Sequence, residues 1–501
     1  MYSAVAQDAK MKVFVNNAYD VLRSRVVFEK VEILFLLAAA LGCLVTLVGA
    51  VLAVPLPYAL DFAEGPLLGG SVRVAHGLSP YPPATELPYV INPYGPLPYY
   101  IAGLCVKLFG VSFTAPRILV IISGIWCAAL IALLVHHWGG EPHVSLGFGL
   151  LYLSRQVMTD WLPLFRVDLI GLALSLTGLY LFAKPRRWYL SIPFFVAALF
   201  CKFLLLSAPL ACFLYSVFRK ETRKASWFAA SSLALGGMAF LWVQRETHGW
   251  FAFDTVWTQA LHPYSLRDAL NRAHGELITN YFLVVLALAL VYYLRSRPEL
   301  SLPFIYLGLS FLTLLARGKL GAFTNYSLEW TAALCCCAGL AYSSLRTPSA
   351  IRNFVSTLMP GALALMVVVN LHRPDPDKGH TECRQAYQYV KDYPGRRILS
   401  ENPGALVIAG KPSVVMEPFL WTQLIVHGGW PDTEIVDLIR SRQIDLVVLG
   451  SNVKDLSNRS VQDRWPKSVA DAVEQNYRLV HTFNCTDANF VYLPETAPTV
   501  R

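Results

Sequence analysis

The sequence has few charged residues for its length. They make up 15% of its 501 residues, whereas hydrophobic residues make up 55%. A soluble protein of this size covers its surface with charged groups, so the composition excludes an ordinary soluble domain. The mean hydropathy of +0.45 indicates that lipid is the solvent for much of the chain. The alternation of polar and apolar residues that marks a membrane β-barrel is absent, so the spans are predicted to be helical.

Several motifs are also missing. There is no CxxC pattern typical of a metal or redox site, no phosphate-binding G-x-x-x-x-G-K-[ST] loop, and no cleavable signal peptide before the first apolar run near Val31. Eight of the ten cysteines lie in apolar runs, where cysteine acts as a small hydrophobic residue. Only Cys383 and Cys485 lie outside such runs, and a disulfide and two free thiols are equally expected for them.

Apolar runs long enough to cross a bilayer recur along the chain. They predict about eleven spans, with a plausible range of 10–13, and a polytopic α-helical membrane protein. These spans are predicted at 32–54, 117–137, 143–158, 168–183, 188–203, 204–218, 226–245, 278–295, 301–316, 326–344 and 354–371. The segment 95–110 is apolar but short, which favours an interfacial or re-entrant position.

The net charge of +9 follows this arrangement and does not point to nucleic acid. With the N-terminal tail 1–31 in the cytoplasm, alternate connections are basic, as the positive-inside rule requires. Only the turn from His136 to His143 lacks Lys and Arg. The connections predicted to lie outside are the first outer loop 56–116, the loops 159–167, 246–277 and 317–325, the turn near Lys202, and the tail from 372.

Residues 372–501 are predicted to form a small α/β extracytoplasmic domain behind the membrane region 32–371. Its strands are expected at 398–400, 405–410, 444–450, 478–483 and 489–493, and its helices near 432–443 and 465–476.

Polar residues collect on the predicted outer side, where charge near a membrane is costly and usually functional. Asp61 and Glu64 lie three residues apart in the first outer loop, after which a helix is expected near 64–77. Such a pair can bind a divalent cation, or one member can act as a general base. The competing interpretation is helix capping.

Other polar residues share this side. Arg166 and Asp168 begin a span and can equally form a structural ion pair. Lys202 can snorkel or face a phosphate. Arg317 and Lys319 form a basic outer cluster against the positive-inside trend, which an anionic head group would explain. His262 is more often structural than catalytic in such a context, and the aromatic, proline-rich stretch around Tyr94 is either an interface belt or a sugar platform.

The order of these motifs resembles the GT-C glycosyltransferases. More narrowly, it is similar to the bacterial branch related to protein O-mannosyltransferase and lipid A aminoarabinose transferase. The resemblance covers about residues 30–345. Its motifs are Asp61, Glu64, "RVAHG", "SPYPP", "NPYGPLPYYIAG", "KLFG", Arg166–Val167–Asp168 with Val in place of Pro, "CKFLLL" and "GKLGAFTNYSLE".

The resemblance implies transfer of a sugar, with inversion, from a polyprenyl-phosphate donor to an acceptor hydroxyl or amine at the outer face of a bacterial inner membrane. Catalytic roles are implied for Asp61 as base, with Glu64 and Asp168 in support. Donor phosphate would be held by Lys202, Arg317 and Lys319. Substrate contacts are expected from Arg166, Tyr94, His262, Asn325 and Tyr326. A divalent cation (Mg or Mn) on Asp61, Glu64 and Asp168 is left open, and the acceptor can be a glycan, lipid or protein.

Two other functions compete with this one. A transporter or flippase for lipid-linked saccharides would place charges along a path through the bilayer and often has an internal repeat. Here the polar residues concentrate at one surface and no repeat is detected. A sensor or scaffold that binds a partner through its tail would leave the loop carboxylates unexplained.

Overall fold

The computed structural model of the chain describes residues 32–345, 350–369, 380–455, 464–485 and 490–495. The predicted cytoplasmic tail 1–31 lies outside these residues. Within these residues, four helices are long and apolar enough to cross a membrane: Glu32–Ala53, Thr114–His137, Thr222–Glu246 and Pro298–Gly318. The pair Leu266–Thr279 and Tyr281–Tyr293, bent by 84°, makes a fifth if it is one broken span.

Among the described residues, shorter apolar helical segments accompany these long ones. They are Pro96–Phe109, Pro142–Leu153, Val167–Ala183, Trp188–Leu199, Ser207–Phe218 and Pro360–Val369, the last being the second half of helix Ala350–Val369. Further helices are Glu64–Ala75, Gln156–Trp161 and Ser327–Leu345. Ser327–Leu345 lies in the core, where its three consecutive cysteines are fully or almost fully buried. The predicted helix near 64–77 is present as Glu64–Ala75, and the segment 95–110 forms the helix Pro96–Phe109. The interfacial or re-entrant position of that segment and the count of eleven spans stay predictions.

The loop 246–277 is more ordered than the sequence indicates. It contains the single turns Trp250–Ala252 and Thr258–Ala260, a π-helical turn Phe253–Trp257 between them, and the start of helix Leu266–Thr279. This helix carries charged residues, so it cannot be identified from the apolar runs in the sequence. One of them, Arg272, donates from Nη1 to the carbonyls of Arg317 and Ala322, each at 2.8 Å, and so holds the neighbouring loop in place.

The tail folds as an α/β unit. Its four-stranded sheet has the order β1-β2-β4-β3, with β1 Ile398–Ser400, β2 Leu446–Leu449, β3 Tyr477–Thr482 and β4 Phe490–Pro494. Strands β1 and β2 are parallel and the other pairs antiparallel. The helices are His380–Asp392, Gly404–Ile408, Pro418–Gly428, Thr433–Arg440 and Lys467–Asn476.

One predicted strand is wrong. The apolar run 405–410 forms the helix Gly404–Ile408, because a short apolar run fits either structure and here Gly410 follows with φ +65°. The helices His380–Asp392 and Pro418–Gly428 were not predicted. The predicted helices near 432–443 and 465–476 and the other four strands are present, with small shifts at their ends.

The tail is joined to the first outer loop by backbone hydrogen bonds. The Tyr89 amide donates to the Val414 carbonyl at 3.0 Å, and the Met416 amide donates to the Tyr89 carbonyl at 2.8 Å. Nearby, Gly65 and Gly404 touch: a Cβ on Gly65 would lie 2.6 Å from the Gly404 nitrogen. Only glycine allows so close a backbone approach, so the tail is seated directly on helix Glu64–Ala75.

Cys383 and Cys485 form a disulfide, with Cα atoms 4.8 Å apart. This decides between the two alternatives that the sequence leaves open. Among the described residues the other eight cysteines are free thiols. Disulfides persist in oxidising compartments, so the bond agrees with a tail outside the cytoplasm.

Candidate active site

Glu64 lies in a fully buried network. Both of its oxygens bind Arg117, at 3.0 Å from Nε and 2.8 Å from Nη2, and neither side chain is exposed to solvent. The amides of Leu60 and Phe165 also donate to this carboxylate, each at 2.6 Å. Arg117 donates further to the carbonyls of Ala53, Leu56 and Tyr58. Glu64 therefore ties the start of the first outer loop to two other parts of the chain.

Asp61 faces another way, although it is only three residues distant. Its Oδ1 accepts from Arg166 Nη1 at 2.6 Å and from the Ala63 amide at 3.0 Å. The Asp61 side chain is 22% exposed, whereas that of Arg166 is 8% exposed. Arg166 Nη2 donates to the Tyr94 hydroxyl at 2.8 Å, so one guanidinium links the carboxylate to the aromatic stretch.

Asp168 and Lys202 form a second buried pair. Lys202 Nζ lies 2.5 Å from Asp168 Oδ1, and the Asn325 amide donates to the same oxygen at 2.9 Å. The ammonium also stands 4.3 Å from the centre of the Tyr326 ring. The turn that carries Lys202 is fixed because the Gly95 amide donates to the Cys201 carbonyl at 3.3 Å.

Lys319 and His262 lie together where two loops pair through their backbones. The Leu320 amide donates to the Pro263 carbonyl at 2.9 Å. Lys319 Nζ donates to Gln259 Oε1 at 2.9 Å, and no carboxylate lies within 4.0 Å of it among the described residues. Burial lowers the pKa of Lys319 to about 8.

His262 is held neutral by its surroundings. Burial and the Lys319 ammonium lower the pKa of His262 to about 3. Its Nε2 is buried without a hydrogen-bond partner among the residues that the structure describes, and its ring packs edge-on against Phe419 with centroids 5.2 Å apart. The imidazole therefore offers one ring nitrogen to a ligand.

Arg317 binds residues outside the pairs described so far. Its Nη1 lies 2.6 Å from Glu276 Oε1 and 3.1 Å from the Ser327 hydroxyl, and the Arg317 side chain is 10% exposed. Arg317 thus fixes the loop that presents Lys319 and does not line the cavity described next. Glu276 was not predicted because it lies in the helix that the sequence analysis treated as a connection.

These segments enclose a cavity of ≈ 280 Å³. Seven of the predicted site residues line it: Tyr94, Arg166, Lys202, His262, Lys319, Asn325 and Tyr326. Asp61 does not line the cavity, but it contacts Arg166, which does, and the neighbouring residues Phe62 and Ala63 also line it. Asp168 lies behind Lys202 and lines a separate void of ≈ 20 Å³, while Glu64 and Arg317 line neither.

The tail adds a carboxyl group that the sequence analysis missed. Glu417 lies immediately before helix Pro418–Gly428, is 4% exposed, and lines the cavity beside Phe419 and Leu420. Burial raises the pKa of Glu417 to about 8, although Arg464 and Arg166 act in the opposite direction. The signal in the sequence is a lone acidic residue in the apolar run "SVVMEPFLW", but nothing in the local sequence connects this run with the membrane region.

The three carboxylates suggested as metal ligands do not fit one ion. Each is directed at a different cation: Asp61 at Arg166, Glu64 at Arg117 and Asp168 at Lys202. Among the described residues there is no group of three or more His, Cys, Asp or Glu with metal-site geometry. No catalytic step is therefore derived through a metal on this set.

Solved structures share this architecture. One is ArnT from Cupriavidus metallidurans bound to undecaprenyl phosphate, with a TM-score of 0.61 and 11% identity, covering 91% of this chain and 98% of that one. The same protein in the apo state also has a TM-score of 0.61 and 11% identity, covering 90% and 97%. The apo oligosaccharyltransferase of Archaeoglobus fulgidus has a TM-score of 0.52 and 11% identity, covering 91% and 75%.

At the level of sequence, neither a protein-family model nor a curated protein matches the chain. The chain therefore shares the fold of ArnT and of the Archaeoglobus fulgidus oligosaccharyltransferase, the kind of fold that the resemblance of its loop motifs implied.

Proposed function

We propose that this protein transfers a sugar from a polyprenyl-phosphate-linked donor to an acceptor hydroxyl or amine at the extracytoplasmic face of the membrane. The GT-C fold supports this function, because proteins of this fold include an ArnT bound to undecaprenyl phosphate. The disulfide in the tail supports the location. No specific observation on the molecule favours a flippase.

The observation that carries the proposal is the convergence of Lys202 and Lys319 on one cavity, with Asp61 bonded to Arg166 in the cavity wall. The charge of Lys202 is already balanced by Asp168 at 2.5 Å. Lys319 contacts a neutral amide instead, so its charge is available to an anionic ligand. A phosphate placed there would bring the sugar attached to it into the cavity beside Arg166 and Tyr94.

The reaction then follows from these positions. The acceptor oxygen or nitrogen attacks the anomeric carbon, its proton passes to the Asp61 carboxylate, and the anomeric carbon–oxygen bond to phosphate breaks. The phosphate leaves with the electron pair of that bond, and Lys319 and Lys202 stabilise the charge that develops on it. Attack opposite to the leaving group inverts the anomeric centre.

The remaining residues take positioning or binding roles. Glu64 holds the first loop through Arg117, Asp168 orients Lys202, and Arg317 orients the Lys319 loop. Arg166 orients Asp61 and, with Tyr94, His262, Asn325 and Tyr326, forms the walls that contact the substrates. Glu417 carries a neutral carboxyl near pH 7 and can hydrogen-bond a sugar or acceptor hydroxyl.

The test is an Asp61→Asn variant of the full chain in lipid nanodiscs. It is supplied with synthetic undecaprenyl-phosphate sugars carrying mannose, galactose or 4-amino-arabinose, and with membrane extract as the acceptor source. Release of undecaprenyl phosphate and labelling of the extract are measured. We expect activity with at least one donor, and a loss of about 10²-fold or more in the variant, because a positioned base contributes about that factor.

Asp160→Asn is the matched control. Asp160 is an exposed carboxylate on the neighbouring outer loop that bonds Gln156 at 2.8 Å. This variant should transfer sugar at the wild-type rate. If Asp61→Asn inserts normally and keeps full activity, Asp61 is not the base.

A further inference from the structure

The tail carries a second groove, separate from the cavity. It has a volume of ≈ 660 Å³ and lies between helix His380–Asp392 and the end of strand β3. Its lining residues are Gln385, Gln388, Tyr389, Asp392, Tyr393, His481 and Phe483. The proposed transfer reaction uses none of them.

Three of the four aromatic rings of this groove are nearly parallel, and the fourth, Phe483, is inclined to His481 by 62°. The Tyr389 and His481 planes differ by 3° and their centroids are 6.1 Å apart, while Tyr389 and Tyr393 differ by 21° at 6.3 Å. Phe483 is buried behind His481, with centroids 4.2 Å apart, and supports it. His481 is exposed and the two tyrosines are partly exposed, so these rings are accessible from solvent.

Polar side chains border these rings. Gln385, Gln388 and Asp392 are exposed and lie three or four residues apart, on the same helix face as Tyr389. The Gln388 amide donates to the Asp392 carboxylate at 2.7 Å, which orients both groups. The lining includes one carboxylate and no Lys or Arg, so the groove does not suit a phosphate or another anionic ligand.

The two walls of the groove are covalently connected. Cys383 lies at the start of the helix, and Cys485 lies two residues beyond Phe483, so their disulfide joins the helix to the strand. The Tyr393 hydroxyl also donates to the Asp445 carbonyl at 2.8 Å. The groove is therefore held open in one shape, which lowers the entropic cost of binding.

We propose that this groove binds a neutral saccharide chain. The C–H face of a sugar ring packs on an aromatic face, while its hydroxyls bond to amide and carboxylate groups at the ring edge. The groove combines both features. An apolar helix or membrane ligand would leave the exposed amide of Gln385 without a partner.

The position of the groove gives such binding a use. From Tyr89 beside the cavity, the backbone pairing continues through the 413–415 segment to β1, β2, β4 and finally β3. These five lateral steps of about 4.8 Å place the groove roughly 24 Å from the first outer loop. A saccharide chain bound there would be held on the tail, away from the reacting end of an acceptor.

The test is equilibrium binding to the full chain in lipid nanodiscs, since maltoside detergents carry sugars that would compete. Cellohexaose, mannohexaose and chitohexaose are titrated in the absence of any donor lipid, and binding is followed by saturation-transfer NMR and thermophoresis. We expect at least one hexasaccharide to bind. Tyr389→Ala and His481→Ala should each weaken it by about tenfold or more, equivalent to about 1.4 kcal/mol.

Matched variants distinguish the loss of an aromatic contact from the loss of folding. Tyr389→Phe keeps the ring and should keep binding, and Tyr189→Ala, which removes an exposed tyrosine from the membrane region, should leave it unchanged. Disulfide formation and thermal stability are measured to show that each variant folds. If Tyr389→Ala is unstable, the test rests on His481→Ala, because His481 is exposed. Absence of hexasaccharide binding, or binding unaffected by both alanine variants, would overturn the proposal. Because no transfer is measured, this outcome is independent of the Asp61 experiment.

Discussion

At the scale of single residues, Lys319 differs from the other cations of the site. Lys202 is balanced by Asp168 and Arg166 by Asp61, whereas Lys319 contacts only a neutral amide among the described residues around it. Burial lowers the pKa of Lys319 to about 8, because no negative charge offsets the loss of water. An anionic ligand would supply that charge.

The affinity for undecaprenyl phosphate should therefore depend on pH. Lys319 is mostly protonated at pH 7 and mostly neutral at pH 9, while the second ionisation of the phosphate, near pH 6, is already complete. We expect the dissociation constant to rise as pH passes through about 8. Lys319→Arg should remove that rise, since arginine stays charged, and Lys319→Gln should bind weakly at every pH. A wild-type profile that is flat from pH 7 to 9 would contradict this role.

The raised pKa of Glu417 predicts that the stability of the folded protein depends on pH. A buried carboxyl with a pKa of about 8 holds its proton in the folded state, while in the unfolded chain it loses it near pH 4.5. The folded state thus binds more protons between these values, and the contribution of Glu417 to stability declines as pH rises from about 4.5 to 8. We expect Glu417→Gln to show a smaller fall in unfolding temperature across this range. Parallel profiles of wild type and variant would show that Glu417 is ionised when folded.

The residue types of the site could be predicted, but their partners could not. Charged residues in outer loops identify Asp61, Arg166, Lys202 and Lys319 as candidates. Which cation faces Glu64 depends on Arg117, fifty-three residues along the chain, and nothing in the local sequence indicates that contact. For the same reason, spacing alone does not reveal that Asp61 and Glu64 point in different directions.

At the scale of elements, the Glu64–Arg117 pair connects the first outer loop to helix Thr114–His137. Removal of one member of a buried pair leaves an uncompensated charge and typically costs about 3–5 kcal/mol. We expect Arg117→Ala to lower the thermal stability of the detergent-purified protein by an amount of this order, whereas the exposed Arg267→Ala should have little effect. Equal stability of the two variants would show that the pair does not hold the loop.

The elements follow the sequence wherever one physical signal dominates. Long apolar runs become helices in the membrane region, and "IDLVVLG" contains the buried strand β2. Short or mixed segments were missed. The run 405–410 was too short to distinguish a strand from a helix, and the charged helix Leu266–Thr279 lacks the apolar run that identifies a span.

At the scale of the whole molecule, the membrane region and the tail share one site. Backbone bonds at Tyr89 and the contact of Gly65 with Gly404 seat the tail on the first outer loop, which brings Glu417 and Phe419 into the cavity wall. The order of the loop motifs in the sequence indicated the GT-C fold. It did not reveal that the tail completes the cavity, because that arrangement rests on contacts between distant segments.

The central claim is that the cavity holds the phosphate of a polyprenyl donor. A cryo-electron microscopy map of the full chain in nanodiscs with saturating undecaprenyl phosphate tests it most directly. We expect density for the phosphate about 3 Å from Lys319 Nζ, on the side of the cavity that Lys202 lines, with the prenyl chain leading into the bilayer. Ordered lipid bound elsewhere on the protein, with this cavity empty, would contradict the account.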